Sequence, residues 1–410
     1  MFLDETVKKR LLKMSIGYRT DRILYFLLAP HLLGYWTFLK PGYKGKEIGD
    51  VLFIFGDVCV LFEAKTRAKA GMAKENWIRA KLKEGTCQIV ANCEMLKDGK
   101  VVSIRNPWRG EVSWSSLGVK YYHGVIVLMH DTEPYDPRDI EPTLFSSSPI
   151  PIHVISLHDI SELLRFMNTP WDFVVYWEFR NLLGHKFRLL VHREQSVYSG
   201  IISNWVTFAK AQGSKHSDAK LEEDRQFIEA YTKVVLKSGE VNDVVKKKIA
   251  TSYLLDIAAG SAMSKAEQDK TRKRVGSPEH DFLIKTVEAI ADLSRRRRAE
   301  YGFLWLDSAE KSKETNCQFH ISGCSPSRNR TYVFHARPTQ YLDEKSFLEI
   351  VMDAMAMNKS SSAIGLSATS ENIIHTFKSV LSSIEETEFE EDSYKLLNAT
   401  SVFIDILKGA

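Results

Sequence analysis

The chain has 410 residues, enough for two to three domains of roughly 150 residues with a core that needs no covalent staples. Lysine and arginine number 56 and aspartate and glutamate 52, so the net charge of +4 excludes a histone-like or polybasic protein. With 44% hydrophobic and 26% charged residues, the composition also excludes long disordered tails, collagen-like repeats and a membrane bundle, and any basic surface has to be sought locally.

Residues 5 to 29 place apolar side chains at helical spacing, and Pro30, Gly34, Pro41 and Gly42 then predict a loop. The most apolar stretch, Ile23 to Leu39, is broken by Pro30, His31 and Gly34 and falls short of the ~20 apolar residues that span a bilayer. The N-terminal MFLDETVKKRLLKM lacks the apolar core of a signal peptide, and the five cysteines (Cys59, Cys87, Cys93, Cys317, Cys324) contain no CxxC. The expectation is a cytoplasmic protein with no membrane partner.

From Gly49 the sequence reads GDVLFIFGDVCVLFEAK, two β-branched and aromatic runs separated by Gly56-Asp57, which predicts a tight β-hairpin inside a sheet covered on both faces. Lys74 to Lys97 follows as a helix, with Ile78, Leu82, Ile89, Cys93 and Leu96 on one stripe. Strand-like runs at Val101 to Ile104 and Tyr121 to Met129, a Pro/Ser-rich loop over 133–151, a strand at Ile152 to Ser156, a helix that Asp159 caps and an aromatic helix at Trp171 to Leu183 complete a mixed α/β block. AQGSKHSDAKLEED is small, polar and charged, so residues 1–210 are taken as one domain, 211–223 as a linker and 224–410 as a second domain of α/β or α+β class. In the second domain, helices are predicted over 224–237, 242–258 and 279–299 and from about 343, 371 and 391. Strands are predicted at Phe303 to Leu306, Gln318 to Ile321 and Tyr332 to His335.

If Gly56-Asp57 is a two-residue turn, Phe55 faces Val58, and the same register sets Asp50 opposite Glu63. Directly opposed residues hold their Cβ atoms ~4.5–5.5 Å apart, so two carboxylates project side by side, and Lys65, two residues beyond Glu63, points to the same face. Adjacent carboxylates repel, and a hard divalent cation relieves that repulsion. Magnesium takes one or two carboxylates, keeps several waters and completes its shell with phosphate, so this trio suits phosphodiester hydrolysis, with manganese as a possible substitute. The plain alternative is a structural hairpin in which Lys65 merely pairs with one acid. The segment that follows weighs against it: residues 64 to 83 carry Lys65, Arg67, Lys69, Lys74, Arg79, Lys81 and Lys83 against Glu75, a local +6 in a chain of +4. Such a patch is the footprint of a polyanion, and Lys74, Lys81 and Gln88 recur every seven residues beside the apolar stripe.

GDVLFIFGDVCVLFEAK resembles the core hairpin of the PD-(D/E)XK nuclease superfamily, the restriction-endonuclease-like fold, with Asp50, Glu63 and Lys65 matching its D…(E)xK motif. The resemblance implies a mixed sheet flanked by helices, Asp50, Glu63 and the Ala64 carbonyl as magnesium ligands, and Lys65 as the group that positions water. It also implies that Gln88 on the next helix joins the site. It covers residues 15 to 100 by motif and extends to about 183 by pattern, and its overall layout suggests a bacterial antiphage or restriction-like enzyme. Asp21 stands where many branches carry an acid on the first helix, and no proline precedes Asp50. Strand alternation places Glu47 on the face opposite Asp50. The expected function is a magnesium-dependent endonuclease with DNA as its nucleic-acid partner in preference to RNA. The other classes to be weighed are a ribonuclease and a non-catalytic nucleic-acid or protein-binding scaffold. The second domain would serve recognition, regulation or assembly, with a partner protein or a homo-oligomer as options.

Other clusters carry less. Ser294 to Arg298 reads as the C-terminal end of a helix, where cations suit the dipole, with a nucleic-acid contact as the alternative. Cys317, His320, Cys324 and His335 match no common structural zinc spacing, His130-Asp131 and His158-Asp159 lack a serine or cysteine elbow, and no GxxxxGK[ST] marks an NTPase.

Overall fold

The computed structural model describes residues 16–31, 34–43, 46–67, 74–130, 148–187, 189, 194–236, 238–271, 278–325, 330–338, 344–360 and 362–385. The chain divides into two compact units, residues 2–226 and 227–410.

In the first unit a helix, α1 (Ile16–His31), leads into three short strands, β1 (Thr37–Leu39), β2 (Gly42–Tyr43) and β3 (Lys46–Glu47). The predicted hairpin is β4 (Val51–Phe55) and β5 (Val58–Arg67), paired antiparallel from Val51 opposite Phe62 to Phe55 opposite Val58. Gly56, at φ 61°, supplies the left-handed residue that a two-residue turn needs. The long helix α2 (Lys74–Lys97) has the predicted limits. A small ribbon follows, β6 (Ser103–Asn106) with β7 (Gly110–Ser113), its first strand beginning two residues later than the sequence pattern suggested.

Next come β8 (Tyr121–His130) and β9 (Ile152–Ser156), so that the main sheet has the order β1-β4-β5-β8-β9, with β5, β8 and β9 parallel and β1 and β4 antiparallel. This is α/β architecture with a mixed sheet flanked by helices. Two parallel neighbours need a crossover, and α2 lies within the one that joins β5 to β8. On the face toward α2, Leu52, Ile54, Cys59, Leu61, Ile126 and Leu128 meet Ile78, Leu82, Ile89, Cys93 and Leu96 in one core. The other face packs Phe53 and Phe62 on Phe173 and Trp177 of α4 (Pro170–Gly184). Between β9 and α4 lies α3 (Leu157–Phe166), opened by Ser156 and Asp159 in a reciprocal capping box. Two further helices, α5 (Glu194–Ser203) and α6 (Trp205–Ala211), lead to α7 (Asp218–Leu236), which crosses the division between the units. Residues 211–223 therefore comprise the last residue of α6, a turn and the start of α7.

The second unit carries α8 (Asp243–Thr271), α9 (Pro278–Ala291), α10 (Arg295–Thr315) and a sheet of β10 (Phe319–Ser325), β11 (Arg330–Arg337) and β12 (Ser362–Thr369), with α11 (Glu344–Met357) between β11 and β12 and α12 (Ser370–Glu385) after it. Three expectations fail here. Phe303 to Leu306 belongs to α10 and is not a strand. The Arg295 to Arg298 run opens that helix behind the N-cap Ser294 instead of closing its predecessor, so the dipole opposes these cations. Asp256 compensates, bonding both Arg295 and Arg298, which are buried. The sequence pattern also missed β12. The helix expected from about 391 lies outside the described residues.

Candidate active site

β5 runs through the middle of the main sheet, and Cys59, Leu61, Glu63 and Lys65 follow one another on one of its faces. The first two enter the apolar core under α2; the next two carry charge along the same row and are only 5% and 7% exposed. Beside them the hairpin ladder stops one residue short of the predicted Asp50–Glu63 pair. Gly49, at φ 104°, turns the chain, and Asp50 stands just outside β4, fixed by three bonds. Its N–H donates to the Phe62 carbonyl (3.1 Å), its carbonyl accepts from the Lys40 N–H (2.9 Å), and its Oδ2 accepts from the Ala64 N–H (2.7 Å). The carboxylate thus takes the place of the next strand residue. Ala64 lies beyond the last β4 partner, and its carbonyl shares the edge on which its N–H meets Asp50.

Helix α2 completes this face. Lys65 Nζ is 3.4 Å from Glu63 Oε2, 3.5 Å from Glu84 Oε1 and hydrogen-bonded to Gln88 Oε1, while Asn92 donates from Nδ2 to Glu63 Oε1 (3.2 Å). Glu84, Gln88 and Asn92 recur every four residues, so a single helix face meets both charged groups of β5. Gly85 permits the approach: a Cβ there would stand 3.1 Å from Ile126 Cδ1 and 3.4 Å from Lys65 Cε.

A second acidic group closes the other side. Asp21 of α1 is buried, and Lys40 Nζ binds its Oδ2 at 2.8 Å and Glu47 Oε2 at 3.2 Å. Because β4 begins at Val51 and Gly49 breaks the alternation, Glu47 does not sit on an opposite sheet face as expected; it reaches the same cluster through Lys40.

The electrostatics follow from this crowding. Burial, then the charge of Asp21, push the Asp50 carboxyl up to about 6, although the Ala64 amide, Lys65 and Lys40 oppose the shift. Burial, then Asp50, push Glu63 up to about 7 against the pull of Lys65. Asp21 is also raised, chiefly by burial. Glu84 is lowered, first by its 2.6 Å bond to Lys81. Among the described residues, Lys65 and Lys40 offset this burial and crowding only in part.

Of the residues singled out in the sequence, Asp50, Glu63, Ala64, Lys65 and Gln88 come together. Lys81 joins through Glu84. The backbones of Arg67 and Lys74 end β5 and open α2, with their side chains outside the described residues, as is all of Lys69. Lys40, Glu84 and Asn92 were missed; Glu84 and Asn92 carry a signal, each lying four residues from Gln88 on the same helix face. Asp159 spends its carboxylate on Ser156, and His335 lies between Ser367 Oγ (2.8 Å) and Gln318 Oε1 (3.2 Å), while Cys317 is exposed. The His130 and Cys324 side chains lie outside the described residues.

Among the described residues no three histidine, cysteine, aspartate or glutamate side chains are grouped at metal-ligand spacing. A hard divalent cation would therefore rest on the oxygen donors of Asp50, Glu63 and the Ala64 carbonyl, with water for the remainder, which is the small protein share that magnesium takes. The two raised carboxyls fit that group, because each gains from a nearby positive charge. Compared with protein-family models, with curated proteins and with solved structures, the chain matches none.

Proposed function

We propose that the chain is a magnesium-dependent nuclease of the restriction-endonuclease-like type that hydrolyses phosphodiester bonds, with DNA as the substrate in preference to RNA. The observation that carries the reading is the convergence of Asp50, Glu63 and Lys65 at the end of a sheet hairpin, with Gln88 on the lysine. The basic run over residues 64–83 supports a polyanionic substrate. The sequence resemblance alone supports the restriction-like, antiphage role.

A magnesium ion held by Asp50, Glu63 and the Ala64 carbonyl would supply Lewis acidity to a phosphoryl oxygen and acidity to a water. The chain's own groups do the rest. Ala64 and Lys40 fix Asp50 through backbone bonds, so its carboxylate needs no reorganisation when substrate arrives. Lys65, an ammonium held by Glu63, Glu84 and Gln88, orients the attacking water and meets charge that develops on the phosphate. In the hydrolysis a water oxygen bonds to phosphorus as one P–O bond breaks; the water gives up a proton and the departing sugar oxygen takes one.

The test is cleavage of linear and circular DNA by the purified chain with magnesium. Wild type is expected to cut, and Asp50→Ala and Lys65→Ala to lose about 100-fold or more. Equal cutting by the variants overturns the assignment, and cutting of RNA but not DNA moves the substrate.

A further inference from the structure

We propose that the site takes a single divalent cation and that Lys40 supplies its second positive centre, with Asp21 acting as the counter-ion of Lys40 and not as a metal ligand. This inference rests on the nuclease reading above.

Charge counting carries it. Among the described residues, Asp21, Glu47, Asp50, Glu63 and Glu84 face Lys40, Lys65 and Lys81 through contiguous ion pairs and the backbone bond between Lys40 and Asp50. With all five carboxylates ionised, as they are when a cation is bound, the three ammonium groups leave two negative charges, which a single divalent cation balances. A second such ion would leave these eight described side chains with an excess of two positive charges beside the buried Asp21, Glu63 and Lys65, an arrangement that desolvation penalises.

The position of Lys40 is built, not incidental. Its backbone adopts φ 42°, a conformation uncommon for a residue with a Cβ, and its N–H is bonded to the Asp50 carbonyl. That places its ammonium between Asp21 and Glu47, with the side chain 21% exposed. Lys65 serves the Glu63 end of the carboxylate pair and Lys40 the Asp50 end. Any ion that used Asp21 would first have to displace an ammonium gripped by two carboxylates.

The full-length, metal-free chain is titrated with Mn2+, and the free ion is counted by electron paramagnetic resonance. Wild type is expected to bind one equivalent. Lys40→Met, which frees Asp21 and adds a negative charge to the balance, is expected to bind two, and Asp21→Asn to keep one. Two equivalents in wild type, one in Lys40→Met or none in Asp21→Asn overturns the inference. Asp21→Asn tests the same assignment should Lys40→Met not fold. Glu63→Gln separates the two levels: undiminished Mn2+ uptake in that variant, or no uptake by wild type, removes the metal site itself and the nuclease reading with it.

Discussion

Glu63 and Asp50 are held by the fold against their own charge. Burial first, and neighbouring carboxylates second, raise Asp50 to about 6 and Glu63 to about 7, from ordinary values of 3.8 and 4.5. Between those limits the folded chain binds more protons than the unfolded one, so stability is greatest at low pH and is lost as pH rises through the folded values. Each unit of such a shift corresponds to about 1.4 kcal/mol above the folded pKa. The metal-free protein is therefore expected to unfold more easily at pH 8 than at pH 5. Glu63→Gln, which removes one charge without removing volume, should be more stable than wild type at pH 8 by about 1–3 kcal/mol while abolishing cleavage. Urea unfolding at both pH values checks this, and a variant less stable than wild type at pH 8 refutes it. These residues were legible in the sequence because a two-residue turn fixes register, and register fixes which side chains share a face. Lys40 was not, since the left-handed turn that aims it and the helix that receives it meet only in three dimensions.

At the level of elements, the site exists because α2 lies close on β5. Gly85 is one point of close approach: the gap to Ile126 Cδ1 of β8 and Lys65 Cε of β5 is that of an absent side chain. Filling it pushes the helix outward and carries Glu84, Gln88 and Asn92 with it. Gly85→Val is expected to cut cleavage tenfold or more, while Ala91→Val on the exposed side of the same helix leaves it unchanged. Overpacking costs about 1–3 kcal/mol and is partly offset by the gain over glycine in helix propensity, so the variant should fold. Full cleavage by Gly85→Val would show that the helix does not position Lys65. The limits of α2 and the turn of the hairpin were legible because long apolar periodicity and a Gly-Asp turn are local signals. β12 was not, since six of the eight residues of SAIGLSAT are small and give no apolar alternation; a Cβ at Gly365 would stand 2.8 Å from both Phe347 and Val351 of α11. The error at Phe303 to Leu306 has a matching cause. Its aromatic run lies in a helix where Tyr301 and Trp305 both pack on Phe334 of β11, and Gly302 lets α10 approach the backbone of Thr251.

On the scale of the whole molecule, the candidate site lies in the unit of residues 2–226, and the unit of residues 227–410 carries a buried ionic cluster of its own. Arg295 and Arg298 share Asp256 there, and the Arg295 guanidinium lies over the rings of Tyr231 and Tyr253. Burial alone would raise the Asp256 carboxyl, but the two arginines reverse this and hold it below the usual range. The sequence showed the arginines as a run but not the acid that binds them, because Asp256 is 39 residues from Arg295 and only the packing of α8 on α10 joins them. Asp256→Ala leaves two buried guanidinium groups without their carboxylate, and breaking a buried pair costs ~3–5 kcal/mol. For a unit of this size that corresponds to a fall of roughly 10 °C in the melting temperature. If the two units fold on separate cores, calorimetry of Asp256→Ala should show the fall in one transition only. The Mn2+ stoichiometry of the Asp50 site should stay that of wild type at a temperature between the two transitions. A single transition that moves as a whole, with Mn2+ binding lost alongside it, would refute the prediction.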